Sequence, residues 1–209
     1  DPPLRKTNPL LFASPAEYIS PSGSPGPGDE VWKNDPPAAT GAKVIIADTD
    51  HIQPEKHGGP GLRSWQWRSF TRGHNLNAVD GDPQQGADWF SPGDSIAMQA
   101  MGRYAEMVDL ASMHPRPELA STTYCLADPG QAYIIYQPPN GTDSGMTGHS
   151  FQLHLQGGQY EYEWFNPTTN EISQTGSIRA TTGESTFTSP FNDHAVLFLK
   201  RQSQHPENQ

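Results

Sequence analysis

KVIIADTDH, Lys43 to His51, is the run from which the fold of this chain is read. Val44, Ile45, Ile46 and Ala47 make a short continuous apolar segment. That pattern fits a strand buried on both faces, as in a parallel sheet. The run then turns abruptly to Asp48, Thr49, Asp50 and His51. α/β barrels place their chemistry at the C-terminal ends of parallel strands, so acids at this position are candidate functional groups. In an extended chain Asp48 and Asp50 lie on the same side. The plainer alternative is a strand that ends in a polar turn, since Asp is common there.

Downstream, His57 to Gly61 is a glycine-rich loop that lacks the Gly-Lys-Ser/Thr ending of a phosphate loop. Leu62 to Arg72, LRSWQWRSFTR, reads as a helix with Gly73 as its stop. Its two tryptophans, Trp65 and Trp67, suggest packing on both flanks. Asn75 to Asp82, NLNAVDGD, is a second short strand ending in acids. Strand, helix, strand is a βαβ unit, which implies parallel pairing and a right-handed crossover. Ser91-Pro92-Gly93-Asp94 caps a further helix, expected to run to about Ser112. Ile96, Met101, Tyr104, Val108 and Ala111 recur at helical spacing along it, with Gln99, Arg103 and Glu106 opposite. His114-Pro115-Arg116-Pro117 breaks the pattern and marks a boundary, dividing the chain into residues 1–117 and 118–209.

Upstream, residues 1–42 hold nine of the 21 prolines. Pro21 to Glu30, PSGSPGPGDE, fits neither helix nor central strand. Ser14-Pro15-Ala16-Glu17 suggests one short helical turn. The remainder is expected to be irregular chain lying over other elements, with a disordered tail as the alternative.

From Ser121 onward the period changes to two. Ala132, Ile134 and Tyr136 alternate with Tyr133 and Ile135; Phe151, Leu153 and Leu155 with Gln152 and His154; Tyr160, Tyr162 and Trp164 with Glu161 and Glu163. Ala195, Leu197 and Leu199 form a last strand. Asp128-Pro129-Gly130, Pro139-Asn140-Gly141, Gln156-Gly157-Gly158 and Asn166-Pro167 supply turns between them. Short strands at this spacing predict an antiparallel sandwich.

Composition limits the partners. The net charge of -10 argues against nucleic acid and against an anionic membrane surface. No run approaches the roughly 20 apolar residues of a membrane span. Cys125 is the single cysteine, so neither an intrachain disulfide nor a cysteine-built metal site is expected. The chain begins at Asp1, without a methionine or a signal-peptide pattern, which suggests a processed or trimmed piece of something longer.

Five stretches resemble the C-terminal half of apiosidase-like glycoside hydrolases. They are SPAEYISP (Ser14–Pro21), NDPPAATGAKVIIADTDH (Asn34–His51), WQWRSFTRGHN (Trp65–Asn75), MGRYAEMVDLASMHPRPELASTTYCLADPG (Met101–Gly130) and YEWFNPTTNE (Tyr162–Glu171). They occur in order, between Ser14 and Glu171. That bacterial family joins a (β/α)8 barrel to a C-terminal domain labelled collagen-binding. The resemblance implies α/β plus all-β architecture: the C-terminal part of the barrel, then a β-sandwich. Val44–Ala47 would be the seventh barrel strand and Leu76–Val79 the eighth, with the first six lying outside this chain. It also implies a secreted or periplasmic hydrolase acting on a carbohydrate. The chain would then need the missing barrel portion, or would self-associate, because two strands cannot close a barrel.

Retaining glycosidases use two carboxyl groups about 5–5.5 Å apart. In related barrels the acid/base lies at the end of the fourth strand and the nucleophile at the end of the seventh. The resemblance therefore makes Asp48 the first candidate nucleophile here and Asp50 the second, with His51 orienting the carboxylate or binding substrate. Asp80 and Asp82, at the next strand end, are candidates for sugar hydroxyls, although Asp-Gly-Asp also suits a structural turn. Trp89 is a candidate sugar platform, whereas the helical placement of Trp65 and Trp67 favours core packing. After His51 this chain has Ile52, Gln53 and Pro54 where the family continues with Leu-Trp-Gly, which leaves the substrate open. Asp48, Asp50, His51 and His57 match no metal-ligand spacing, so neither metal nor other cofactor is expected. The competing reading is a non-catalytic module in which Tyr160, Tyr162 and Trp164 bind carbohydrate, or in which the sandwich braces the barrel. Those aromatics are core if they face inward, which their alternation with Glu161 and Glu163 favours.

Overall fold

The apolar run Val44–Ala47 lies at the centre of a parallel sheet. Strand β2 (Val44–Asp48) pairs in parallel with β1 (Tyr18–Ile19) on one side and with β3 (Asn75–Asn77) on the other. The computed structural model describes residues 8–21, 31–48, 62–77, 92–139 and 150–202. The chain divides into two compact units, Asp1–Met107 and Val108–Gln209. Residues 108–117, grouped on sequence with the first part, fall in the second, where His114–Pro115 pairs with the strand Cys125–Asp128.

In the first unit, β2 and β3 flank the helix α3 (Leu62–Thr71) in sequence. α3 ends where Gly73 adopts φ +76°, a left-handed value that glycine reaches without strain. The amide of Gly73 donates to Phe70 and that of His74 to Ser69, satisfying the last carbonyls of the helix. Trp65 is 2% and Trp67 0% exposed, so both flanks of α3 are packed. Trp67 meets Phe70 and Tyr104 edge-on, at ring separations of 6.0 and 6.1 Å. Tyr104 lies on α4 (Pro92–Met107). That helix stops five residues short of the expected Ser112. The Asp109 carboxylate accepts from the Ala111 amide and the Ser112 hydroxyl, closing a separate 3-10 turn over Leu110–Ser112.

The predicted burial of β2 on both faces is not what forms. Ile19, Ile45 and Ala47 are buried, with Ala47 packed among Trp65, Leu62 and Leu76. On the opposite parity, Val44 is 51% and its register partner Tyr18 67% exposed. Among the described residues, helix α3 packs on one face of the sheet, that of Ala47 and Leu76.

The proline-rich segment before β2 is tied down where it is described. A helix α1 (Asn8–Ala13) precedes Ser14, so the expected turn over Ser14–Glu17 is not helical; Ser14 instead closes α1 by donating to Leu11. Lys43 Nζ donates to the carbonyls of Ser14 and Ala16, at 2.8 and 2.6 Å. A short helix, α2 (Val31–Asn34), and the residues after it are strapped to α3. Trp65 Nε1 donates to Trp32, the Arg68 guanidinium to Asn34, and the Arg72 guanidinium pairs with Asp35.

His74 completes this strap. It is 4% exposed, stacks on Trp32, and its Nε2 donates to the Pro37 carbonyl at 2.8 Å. Since a carbonyl only accepts, the ring is the Nε2–H tautomer. Burial lowers its pKa from 6.5 to about 4, the Pro37 bond opposing that and the Arg72 charge adding to it. The unfolded chain therefore binds this proton more readily than the folded one. Its contribution to stability is complete above pH 6.5 and falls as the pH drops towards 4, by about 3 kcal/mol in all. Urea unfolding between pH 7 and pH 4 should show that loss, and His74→Gln should remove most of this extra slope.

The second unit is antiparallel. Two strands, β7 (Ser150–Leu155) and β10 (Gly183–Thr188), form one sheet. The other has six strands in the order β4-β5-β6-β11-β8-β9. These are β4 (His114–Pro115), β5 (Cys125–Asp128), β6 (Ala132–Gln137), β8 (Gly158–Asn166), β9 (Glu171–Ala180) and β11 (Ala195–Arg201). The two sheets share one core: Phe151, Leu153 and Leu155 of β7 and Phe187 of β10 meet Tyr133, Ile135, Tyr160, Trp164, Leu197 and Leu199. Gly130 turns β5 into β6 at φ +89°. An alanine Cβ there would stand 2.5 Å from Gln156 Oε1, so only glycine fits without displacement.

Candidate functional site

The parallel register brings the C-terminal ends of β2 and β3 together. Asp48, the last residue of β2, is the partner of Asn77, the last residue of β3. Position 48 has the parity of Val44 and Ile46, that of the uncovered face. On β3, Asn75 and Asn77 share this parity and are exposed, while Leu76 between them packs beside Ala47 and Trp65. The open face thus runs from Tyr18 and Val44 at the strand starts to the exposed amides of Asn75 and Asn77 on β3.

Of the site residues read from sequence, Asp48 falls at this edge. Asp50, His51, Asp80, Asp82 and Trp89 lie outside the described residues, in the segments that follow β2 and β3. Asn77 was not singled out on sequence, although its signal was present. Two asparagines in a three-residue strand oppose the residue's low strand propensity. Asn75 has a structural role, since its Nδ2 donates to the Ile45 carbonyl at 3.3 Å. Among the described residues, no group of three His, Cys, Asp or Glu side chains is placed to hold a metal ion.

The aromatic residues weighed as sugar platforms are core where described. Trp65 and Trp67 are buried within α3. Tyr160 is 0% and Trp164 3% exposed, and both belong to the core between the two sheets. Tyr162 packs against that core, with its ring over Gly176 of β9, where an alanine Cβ would stand 2.9 Å away. The strand therefore presents Glu161 and Glu163 on the face away from these rings. A different concavity exists in the second unit. A groove of about 410 Å³ is lined by Glu118, Leu119, Ala120, Ser121, Gln152, His154 and Glu184. Its wall is fixed by Ser121, whose amide donates to the Gln152 carbonyl and whose hydroxyl accepts from the Gln152 amide.

No protein-family model matches the chain, and no curated protein matches it. Solved structures do. One, described as a glycoside hydrolase, aligns over 80% of this chain at 11% identity and a TM-score of 0.54. A second, a glycoside hydrolase family 5 protein from Bacteroides vulgatus ATCC 8482, aligns over 82% at 13% identity and a TM-score of 0.55. At such identities the likeness is one of fold. This chain spans 44% of the length of each of those proteins.

Proposed function

We propose that this chain is the C-terminal portion of a glycoside hydrolase. In this reading β2 and β3 are the seventh and eighth strands of a (β/α)8 barrel, and the second unit is an appended β-sandwich. Asp48, or failing that Asp50, supplies one carboxylate of a two-carboxylate mechanism acting on an oligosaccharide or polysaccharide. The remaining barrel supplies the other. The observation that carries this is the one-sided burial of the parallel sheet. Parallel sheets are covered on both faces, yet Tyr18 and Val44 are left in the open. Further barrel strands would complete that face, and the strand ends at Asp48 and Asn77 would then border a common mouth. The fold likeness to part of two glycoside hydrolases supports the same assignment, and the motif resemblance narrows it to apiosidase-like enzymes. A secreted or periplasmic location follows from that class of substrate.

On its own the chain hydrolyses nothing, because half of the carboxylate pair is missing. Its open face docks on the rest of the barrel or, in isolation, drives self-association. The test compares this chain with the polypeptide extended to a whole barrel on a panel of plant and microbial glycans. Hydrolysis by the extended form alone is the expected result. Activity from the short chain, or an inert extended form, would reject the proposal.

A second reading is favoured by the groove of the second unit. Its carboxylate, amide, imidazole and hydroxyl groups offer the donors and acceptors of a non-catalytic glycan site. Binding lost in a Gln152→Ala, His154→Ala double variant, with hydrolysis intact, would assign that role.

A further inference from the structure

We infer that Asn77 is a substrate-binding residue of the same site, hydrogen-bonding a sugar hydroxyl beside Asp48; this rests on the hydrolase reading above. Three observations point there. Asn77 is the register partner of Asp48 in the adjacent parallel strand, so the two positions stand one strand spacing apart, about 4.8 Å. They share the parity of the uncovered face and end their strands together. Among the described residues, the Asn77 side chain is exposed and has no hydrogen-bond partner.

Comparison with Asn75 sharpens the assignment. Asn75 occupies the same face one step back along β3 and donates its amide to β2, at the Ile45 carbonyl. That bond explains why an asparagine is tolerated there despite its poor strand propensity. No equivalent bond accounts for Asn77. An amide carries both a donor and an acceptor, which suits vicinal hydroxyls, and it adds no charge beside a carboxylate that must react. A site built to hydrogen-bond a hydroxyl discriminates strongly against ligands that lack it.

The two asparagines should therefore separate experimentally. In the extended polypeptide, Asn77→Ala should lower kcat/KM about tenfold, mainly through KM, with the urea midpoint unchanged. Asn75→Ala should lower the urea midpoint and leave KM near its original value. A binding readout independent of turnover comes from the Asp48→Asn background. There, adding Asn77→Ala should weaken calorimetric affinity for an unhydrolysed oligosaccharide substrate by a similar factor. If Asp48→Asn abolishes turnover while Asn77→Ala alters neither KM nor affinity, the inference falls and the hydrolase reading stands. If the extended polypeptide neither binds nor cleaves any glycan, both fall. A drop in stability for Asn77→Ala equal to that of Asn75→Ala, with KM unmoved, would make Asn77 structural and also overturn the inference.

Discussion

Asp48→Asn in the extended polypeptide should reduce turnover by on the order of a thousandfold or more, corresponding to about 4 kcal/mol of lost transition-state stabilisation. The amide matches the carboxylate in size but neither ionises nor forms the glycosyl ester of a retaining mechanism. Folding should be unaffected, because Asp48 is the last residue of its strand and the replacement keeps its size and shape. Initial rates on the best substrate, beside a urea unfolding curve, separate the two effects. Asp50→Asn is the internal comparison. Asp50 lies two residues further on in the sequence and is the second candidate. A full loss at Asp50 with activity retained at Asp48 would move the nucleophile by two positions. Retention of activity in both variants would remove the DTDH run from the chemistry.

Trp67→Ala should cost the first unit about 3–5 kcal/mol, enough to unfold a marginally stable unit. Trp67 is fully buried and joins α3 to α4 through its edge-on contact with Tyr104. Truncation removes the largest side chain at that helix contact and leaves a cavity that two helices, each tied to other elements, cannot collapse to fill. Trp67→Phe should cost less, since it keeps an aromatic surface towards Phe70 and Tyr104. Urea unfolding followed by far-UV circular dichroism measures the loss. Hydrogen exchange of the β6 and β11 amides, in the core of the second unit, serves as a control that should be unchanged in a Trp67→Ala variant. Coincident destabilisation of both units, or a loss below about 1 kcal/mol, would contradict the packing argument.

Sequence and structure agree most closely where a local stop or turn bounds a strongly apolar run. Leu62–Thr71 was legible as a helix because its glycine stop is local chemistry: Gly73 takes the left-handed conformation that closes it. β6, β7, β8 and β11 were legible because their inward residues alternate with outward ones or pack densely between sheets. β9 and β10 were not singled out. β9 is exposed over most of its ten residues and so carries little hydrophobic period. Its place is decided by backbone pairing to β8, which composition does not encode. The end of α4 was misplaced because Ala111 continues a helical spacing that the Asp109 side chain interrupts. At the candidate site, the acid-rich end of β2 was visible at once. Asn77 was not, because its significance lies in a register partner 29 residues away in the chain.

By itself the sequence determined the local matters: the apolar run that becomes β2, the glycine that stops α3, the turns between antiparallel strands and the crowding of acids after Ala47. These follow from backbone preferences and from periodicity, which act over a few residues. Only the tertiary structure decided which face of β2 is covered, that Tyr160 and Trp164 point into a core, and that Asp48 stands beside Asn77. Those outcomes depend on which distant segments meet, and VIIA is equally apolar whether one face is packed or both.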